Sequence, residues 1–359
     1  MRLHHSRLRL RASRASGLVV LLTLAGLTVA QGGISGAAFS GSSGNATDQW
    51  EATSLQPASG LSVAQVCTND PVPVLHGSSS TTSGSGALTL TKPVGTVAGD
   101  LLLASVAVAG SPPESSLVAP AGWTKIVGTV HTGGVTTATY YHVTASGTSV
   151  TYTWTLPGGQ AVGGLLAYGG VHPKHPIDAY AAEVNEGGDK LIEAPSLTTT
   201  TTNVRLVAFF SQINTSVWSP PAGMTEAYEV ASTTGGGPSS DLSEESAAEA
   251  RPTAGATGSR IATSSSGGKG VGQIIALRPS ATPSAALSWT ASPSTSTTGY
   301  RGRRFAAGVL EREGSVAGRT TTTATDGPLV NGTAYSFEIA ATLGNWVSPA
   351  TTATLTPDC

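Results

Sequence analysis

The sequence predicts an all-β protein in which a large jelly-roll-like β-sandwich is followed by a second, smaller sandwich. From about residue 71 to residue 280, short alternating apolar runs are separated by clusters of Gly, Pro and Ser, which is the pattern of strands and turns. Charged residues make up only 11% of the 359 residues, while Gly and β-branched residues are abundant. Helical periodicity of useful length is missing after the N-terminal segment, so helices are not expected.

The alternating runs define the candidate strands of the large sandwich. They recur about every ten residues, which is the spacing of strands in a sandwich or jelly roll. These segments are Ala87 to Thr91, Leu101 to Val108, Trp123 to Val130, Val135 to Val143, Ser149 to Thr155, Val162 to Tyr168, Val204 to Phe210, Met224 to Val230 and Val271 to Leu277.

Two motifs in this region occur twice. Pro120–Thr124 recurs as Pro221–Thr225, and the glycine-led segment Gly158–Ala167 recurs as Gly267–Ala276. The repeats predict a duplicated module made of two halves, each opening with an apolar strand and closing with the glycine-led strand.

The predicted halves are about 71–170 and 171–280, and we expect them to form one sandwich. Each half could supply one sheet, or half of each sheet. The region resembles an uncharacterised module of secreted actinobacterial and other bacterial proteins. That resemblance implies an acidic residue at the end of the first half, where this chain has His172.

The N-terminal 38 residues predict export. Five Arg precede an uncharged apolar run, the pattern of a signal peptide, and cleavage could follow Ala30, Ala37 or Ala38. An uncleaved membrane anchor is the alternative reading of residues 1–38. Residues 39–70 are rich in Gly, Ser and Ala and read as a flexible stalk. The segment from Ala38 to Trp50 resembles the post-signal region of camelysin-type and biofilm-matrix proteins, which implies a specialised signal peptidase and a cell-surface destination.

Residues 283–357 carry a different signature. An early Leu-Ser-Trp ends at Trp289, and a late Asn-Gly-Thr-Ala-Tyr ends at Tyr335. This stretch resembles a fibronectin type III domain, which implies a core position for Trp289 and a corner hydrogen bond for the Tyr335 hydroxyl. Its basic patch, Arg301, Arg303 and Arg304, is expected to pair with Glu311 and Glu313 across neighbouring strands.

Cys67 and Cys359 are the two cysteines of the chain. In an oxidising compartment they could form a disulfide, provided that their Cα atoms approach within about 7 Å. Such a bond would close a loop of almost the whole folded region. Two unpaired thiols near flexible ends are the alternative.

Trp123 and Trp218 are the candidate ligand-binding residues, because each lies beside a Pro-rich turn where an exposed indole could stack on a sugar ring. Packing in the core is the alternative, and for Trp123 the replacement by Met224 in the repeat favours it.

His172, His175 and Asp178 are the candidate metal ligands, because imidazole and carboxylate groups of one loop could meet at one ion. A solvated, Pro-stiffened connector is the simpler interpretation.

Nucleophile elbows, zinc-protease motifs and phosphate-binding loops are missing from the sequence. The close carboxylate pairs, Glu183 with Glu186 and Glu244 with Glu245, are expected on solvated surface rather than across a glycosidic bond. We therefore expect no catalytic residues and no cofactor.

The resulting hypothesis is a non-catalytic secreted or cell-surface binding and spacer protein. Its expected partner is a glycan, a cell-wall polymer or an extracellular protein, with membrane contact only through the N-terminal segment. A net charge of -2 argues against nucleic acid. The alternatives are an accessory protein or cryptic glycosidase of polysaccharide degradation, and a self-assembling extracellular matrix component.

Overall fold

The computed structural model describes residues 54–232 and 240–359. The predicted signal or anchor segment and residues 39–53 of the predicted stalk lie outside the described residues. Within the described ranges the chain consists of strands, turns and one short 3-10 helix at Glu114–Ser116, so the all-β prediction is confirmed. No helix in these ranges is long and apolar enough to cross a membrane.

The described strands run along the chain in the following order. They are β1 (Ser59–Asn69), β2 (Val74–Ser83), β3 (Ala87–Thr91), β4 (Leu101–Ala109), β5 (Thr124–Val130), β6 (Val135–Val143), β7 (Thr151–Thr155), β8 (Ala161–Gly169), β9 (Ile177–Asn185), β10 (Leu191–Ala194), β11 (Thr198–Thr199), β12 (Val204–Ile213), β13 (Trp218–Ser219), β14 (Thr225–Ala231), β15 (Leu242–Arg251), β16 (Gly255–Ala256), β17 (Arg260–Ser264), β18 (Gly270–Leu277), β19 (Ala281–Thr290), β20 (Gly299–Ala306), β21 (Val309–Ala317), β22 (Thr323–Asp326), β23 (Tyr335–Leu343), β24 (Trp346–Val347) and β25 (Thr351–Leu355).

Two five-stranded antiparallel sheets form the centre of the module between residues 71 and 280. Sheet I has the order β2-β8-β4-β6-β5 and sheet II the order β9-β18-β12-β15-β14. Each predicted half therefore supplies one complete sheet, and the strands of the two sheets follow the same order along the chain. The inner faces pack on each other through apolar side chains such as Leu103 and Leu166 of sheet I and Phe209 and Ile275 of sheet II.

A small sheet covers the outer face of each large one. Strands β3 and β7 pair over sheet I, and β10, β17 and β13 pair over sheet II. Each half thus has an outer core of its own, in addition to the inner core that the halves share. Because both faces of the central strands are covered, β4, β8, β12 and β18 are almost continuous apolar or small-residue runs that are buried along their length.

Strand β1 corrects the predicted domain boundaries. It pairs antiparallel with β19 from Ser59 opposite Thr290 to Asn69 opposite Ala281, and Leu61 and Val63 pack against the C-terminal core. Residues 55–69 are therefore not part of a stalk. They supply the first strand of the C-terminal sandwich, and residues 71–280 are inserted between its first and second strands.

We call residues 55–69 and 281–359 the split sandwich, and residues 71–280 the inserted module. One sheet of the split sandwich has the order β1-β19-β22, and the other has β21-β20-β23-β24, with β25 also on β23. Trp289 and Tyr335 are buried in its core, and the Tyr335 hydroxyl accepts a hydrogen bond from Val330 N at 3.1 Å. These features match the fibronectin type III resemblance.

Polar contacts hold the chain where it passes between the split sandwich and the inserted module. The Asp70 carboxylate accepts hydrogen bonds from the hydroxyls of Ser280 and Thr282, both at 2.7 Å. Asp70 N also donates to Ser280 O at 2.9 Å. The two chain crossings are therefore bonded to each other, and residues 55–359 form one compact unit.

Candidate functional site

Trp123 lies over the outer core of the first half. Its ring makes edge contacts with Tyr152 and Trp154, at centroid distances of 5.1 and 4.9 Å, and stacks on His142 at 5.5 Å. Aromatic neighbours therefore hold the indole against the outer core, while part of the residue stays exposed. The core-capping alternative describes this packing, and sugar stacking at Trp123 stays a prediction.

Trp218 is even less accessible. Its side chain is 5% exposed and packs in the outer core of the second half with Met224. Its backbone N–H donates to the Glu229 carboxylate at 3.0 Å. Because burial removes the indole face from solvent, the predicted sugar contact at Trp218 is also wrong.

His172, His175 and Asp178 do not converge on one point. The rings of His172 and His175 are 5.5 Å apart, and His172 Nδ1 accepts hydrogen bonds from the backbone N–H groups of Lys174 and His175. Asp178 instead accepts hydrogen bonds from Thr200 and Thr201 and pairs with Arg278 at 3.0 Å. Among the described residues no group of three or more His, Cys, Asp and Glu could hold a metal ion. The metal prediction is therefore wrong: His172 Nδ1 and the Asp178 carboxylate already accept hydrogen bonds, and His175 is exposed.

The protonation states of His172 and Asp178, in the connector between the two halves, follow from their surroundings. Burial lowers the pKa of His172, and the neighbouring His175 and Arg278 lower it further. Burial alone would raise the pKa of Asp178, but hydrogen bonds from Thr201 and Thr200 outweigh it, and the net pKa is lowered. A neutral His172 and an ionised Asp178 thus brace the beginning of the second half.

Cys67 and Cys359 are joined by a disulfide, with Cα atoms 5.6 Å apart and 292 residues apart in sequence. Gln65 accepts from Asp358 N at 2.8 Å and donates to Asp358 O at 3.2 Å. The Asn331 side chain brackets Cys359 in the same way, at 2.8 and 3.0 Å. The C-terminal segment is therefore held against the end of β1 by covalent and hydrogen bonds.

The same segment contacts the inserted module. Lys174 donates to the Asp358 carboxylate across the boundary between module and sandwich. Both side chains are more than half exposed, so this ion pair adds little stability by itself. It does mark where the C-terminal segment and the connector meet.

Glu244 is a buried carboxyl group between sheets I and II. Tyr228 donates to one of its oxygens at 2.6 Å, and Ser105 and Ser211 donate to the other at 2.8 and 3.0 Å. Burial raises the pKa of Glu244 to about 7, although the three hydroxyl donors lower it in part. The expectation that Glu244 lies on solvated surface is wrong, because β15 is covered on both faces.

Glu245 points to the opposite face of β15. Its carboxylate oxygens are buried and have no hydrogen-bond partner, and it lies opposite Glu229 on β14. Burial raises the pKa of Glu245 to about 8, and the nearby Glu226 and Glu229 add to that rise. Because Glu244 and Glu245 face different cores, they do not form the facing pair that glycoside hydrolysis requires.

The split sandwich carries an exposed indole that sequence analysis did not single out. Trp346, in the hairpin between β23 and β24, is 64% exposed, and the adjacent Val347 is 39% exposed. The sequence signal was the Gly344-Asn345 turn dipeptide between two apolar runs, which places the following residue at a hairpin end.

The expected pairing of the basic patch is confirmed for Arg303 and Arg304, whereas Arg301 forms no ion pair with a described residue. Arg303 lies opposite Glu313 and forms an ion pair with it, and Arg304 forms an ion pair with Glu311 at 3.2 Å. Arg304 also pairs with Asp326 and lies 5.4 Å from the centre of the Tyr335 ring. These charges are therefore largely compensated within the domain.

Among solved structures, the chain is similar to fibronectin type III domains. A two-domain fibronectin type III segment of chicken tenascin matches at 16% identity, over 51% of this chain and 99% of that one, with a TM-score of 0.19. The FN1–FN3 domains of chicken CNTN1 match at 12% identity, over 80% of this chain and 99% of that one, with a TM-score of 0.20. No protein-family model and no curated protein matches the chain. TM-scores of this size carry no argument, so the fibronectin-like assignment rests on the strand order and core residues of the split sandwich.

Proposed function

We propose that this chain is a secreted or surface-tethered bacterial protein whose rigid, non-catalytic body acts as a spacer and presents a glycan-binding surface. The observation that carries the proposal is the insertion of residues 71–280 between strands β1 and β19. An inserted domain has two chain crossings to its host, whereas domains in tandem share one linker that permits relative motion.

Three further features support a stiff connection. The two crossings are bonded to each other through Asp70, the Cys67–Cys359 disulfide fixes the C-terminal segment to β1, and Lys174 contacts that segment. A load applied between Leu55 and Cys359 passes through the disulfide and bypasses residues 68–358. Such an arrangement suits a protein that keeps a binding surface at a fixed distance from its point of attachment.

Trp346 is the residue that supports glycan recognition. An exposed indole is a large, rigid apolar face that can cover a sugar ring at low conformational cost. Trp123 and Trp218 are engaged in packing, which leaves Trp346 as the exposed indole among the described residues. Its place at a hairpin end makes it accessible to an extended polymer.

The test is retention on insoluble polysaccharides and bacterial cell walls, with release of reducing sugar assayed in the same tubes. The protein should begin near residue 39, because a fragment beginning at residue 71 would lack β1 and Cys67. Retention without sugar release, lost in Trp346→Ala, is the expected result. Val330→Ala is the matched control, since Val330 is another exposed apolar residue of the split sandwich, 63% accessible to solvent.

Two results would contradict the proposal. Release of sugar would make the protein an enzyme. If the folded protein is retained on none of the polymers, the glycan-binding part of the proposal is wrong, and the spacer part is tested separately. For that part, small-angle scattering of the oxidised protein should fit one rigid shape, and Cys67→Ser should broaden the distribution of dimensions.

A further inference from the structure

A cleft of about 210 Å³ opens between the two sheets of the split sandwich. It exists because two core-facing positions carry no side chain. Gly302 on β20 and Gly314 on β21 lie directly opposite each other in the strand register, and both line the cleft. A Cβ atom added at Gly314 would meet no atom within 4 Å, so the space above this residue is open.

The inner end of the cleft is the apolar core of the split sandwich. Trp289, Tyr300, Phe337 and Ile339 lie there, and each of these residues is at most 5% exposed. An engineered apolar cavity of about 150 Å³ is large enough for benzene. The cleft therefore has room for one six-membered aromatic ring and a short substituent.

Charged groups also line the cleft. Arg312 donates through Nη1 to Gly327 O at 2.8 Å and pairs with Asp326 at 3.0 Å. Arg304 shares the same Asp326 carboxylate at 2.9 Å. The two guanidinium groups thus share one carboxylate, Arg304 at Oδ2 and Arg312 at Oδ1. Arg312 makes both of its contacts through Nη1, and its side chain is about half exposed, so the edge formed by Nε and Nη2 is open to solvent.

A second unpaired donor is present. The Trp289 indole N–H is buried and has no hydrogen-bond partner in the described structure. A buried donor without an acceptor costs free energy, but this atom has almost no accessible surface, and a ligand would reach it only if the cleft wall moved. The donor that a ligand can reach directly is the half-exposed Arg312 guanidinium, so the complementary ligand carries an acceptor.

We propose that this cleft is a binding site for a small aryl carboxylate. The ring would lie in the open space above the Gly302–Gly314 pair, beside the core that Trp289, Tyr300 and Phe337 form. The carboxylate would accept hydrogen bonds from the free edge of the Arg312 guanidinium, the geometry in which Arg binds carboxylates best. This inference is independent of the glycan proposal, because Trp346 does not line the cleft.

Para-fluorophenylacetate is the probe, titrated into the full chain and followed by fluorine NMR. A ligand of this size should bind with a Kd of about 1 mM. Gly314→Leu should fill the cleft and weaken binding more than about tenfold without lowering the Tm, since the added side chain enters open space. Arg312→Gln should weaken binding of the carboxylate about tenfold and leave binding of the neutral analogue para-fluorophenylethanol unchanged.

Arg301→Gln is the matched control, because it removes the same charge from β20 outside the cleft and should leave the Kd unchanged. Absence of saturable binding to the wild-type chain, or equal affinity in Gly314→Leu, would overturn the site. Binding that is lost in Gly314→Leu but retained in Arg312→Gln would overturn the assignment of a carboxylate ligand.

Discussion

The two halves of the inserted module follow the same strand order but fill their outer cores differently. In the first half, Trp154 on β7 lies opposite Leu88 and is fully buried with Tyr140. In the second, the corresponding place on β17, opposite Ile192, is taken by Ala262. Strand order is therefore set by the alternation of buried and exposed positions, while the identity of the core side chains can differ widely.

The inner faces differ in polarity. Gly164 in the first glycine-led segment corresponds to Gln273 in the second. The ring of Tyr228 lies over Gly164, where any side chain would collide with it. Gln273 bonds instead across the interface to Thr139, Thr129 and the carbonyl of Thr137. The shared interface is thus asymmetric, and its polar contacts favour one pairing of the sheets.

The largest effect should come from the aromatic outer core. Trp154→Ala removes a fully buried side chain and its edge contact with Trp123, and should lower the free energy of unfolding by about 4 kcal/mol. Ala262→Gly, at the corresponding position of the second half, should cost only about 1 kcal/mol. Urea unfolding measures both, and similar losses would show that the outer cores contribute equally despite their composition.

The next effect is a pH dependence that originates in the second half. Burial raises the pKa of Glu244 from its ordinary value of 4.5 to about 7 in the folded protein, so folding favours its protonated form. That stabilisation is fully present below about pH 4.5 and is lost as the pH rises through about 7. Raising the pH from about 5 to about 9 should lower the free energy of unfolding by about 3 kcal/mol through the ionisation of Glu244.

Glu244→Gln should flatten this part of the stability profile, since an amide does not ionise. Glu183→Gln is the matched control, because Glu183 is exposed on edge strand β9. Urea unfolding at several pH values gives the comparison. Parallel profiles for the wild type and Glu244→Gln would show that Glu244 does not titrate in this range.

A smaller effect is expected where the inner faces meet. The Cβ of Gly164→Ala would lie 2.1 Å from Tyr228 Cζ, so the sheets or the ring must shift, at a cost of about 2 kcal/mol. Tyr228→Val should relieve that clash. A double-mutant cycle measures the coupling, and strictly additive losses would mean that Gly164 and Tyr228 do not constrain each other.

The smallest effect should come from Trp123→Met, which gives the first half the residue that Met224 provides in the second. The stack on His142 and the edge contacts with Tyr152 and Trp154 are lost, at a cost of about 1 kcal/mol. Polysaccharide retention should not change. A loss of retention with folding intact would make Trp123 a ligand contact.

Local patterns predicted the strands well. Ala87–Thr91 and Val135–Val143 are strands with the predicted bounds, and Leu101–Ala109 exceeds its predicted end by one residue. Trp289 and Tyr335 occupy the core positions that the resemblance implied. These successes share a cause, because alternation and turn residues act over a few neighbouring positions.

The errors share a cause as well. Strand β1 is short of large apolar residues, and its partner β19 is more than 200 residues further along the chain, so its pairing leaves no local signal. Trp218 and Glu244 were interpreted from their turn-like or polar neighbours, yet both are covered by strands distant in sequence. The exposed Trp346 had a turn signal, but its accessibility depends on the absence of a covering strand.

The sequence by itself determined the all-β class, the positions of most strands, the repeated motifs and the fibronectin-like core residues, because each depends on local alternation or spacing. Tertiary structure alone decided that each half forms one of the two central sheets, that the module is inserted between β1 and β19, and that Cys67 meets Cys359. It also decided which polar groups are buried and where the Gly302–Gly314 pair opens a cleft. Those outcomes depend on which distant strands pack together, and chain neighbours do not specify that.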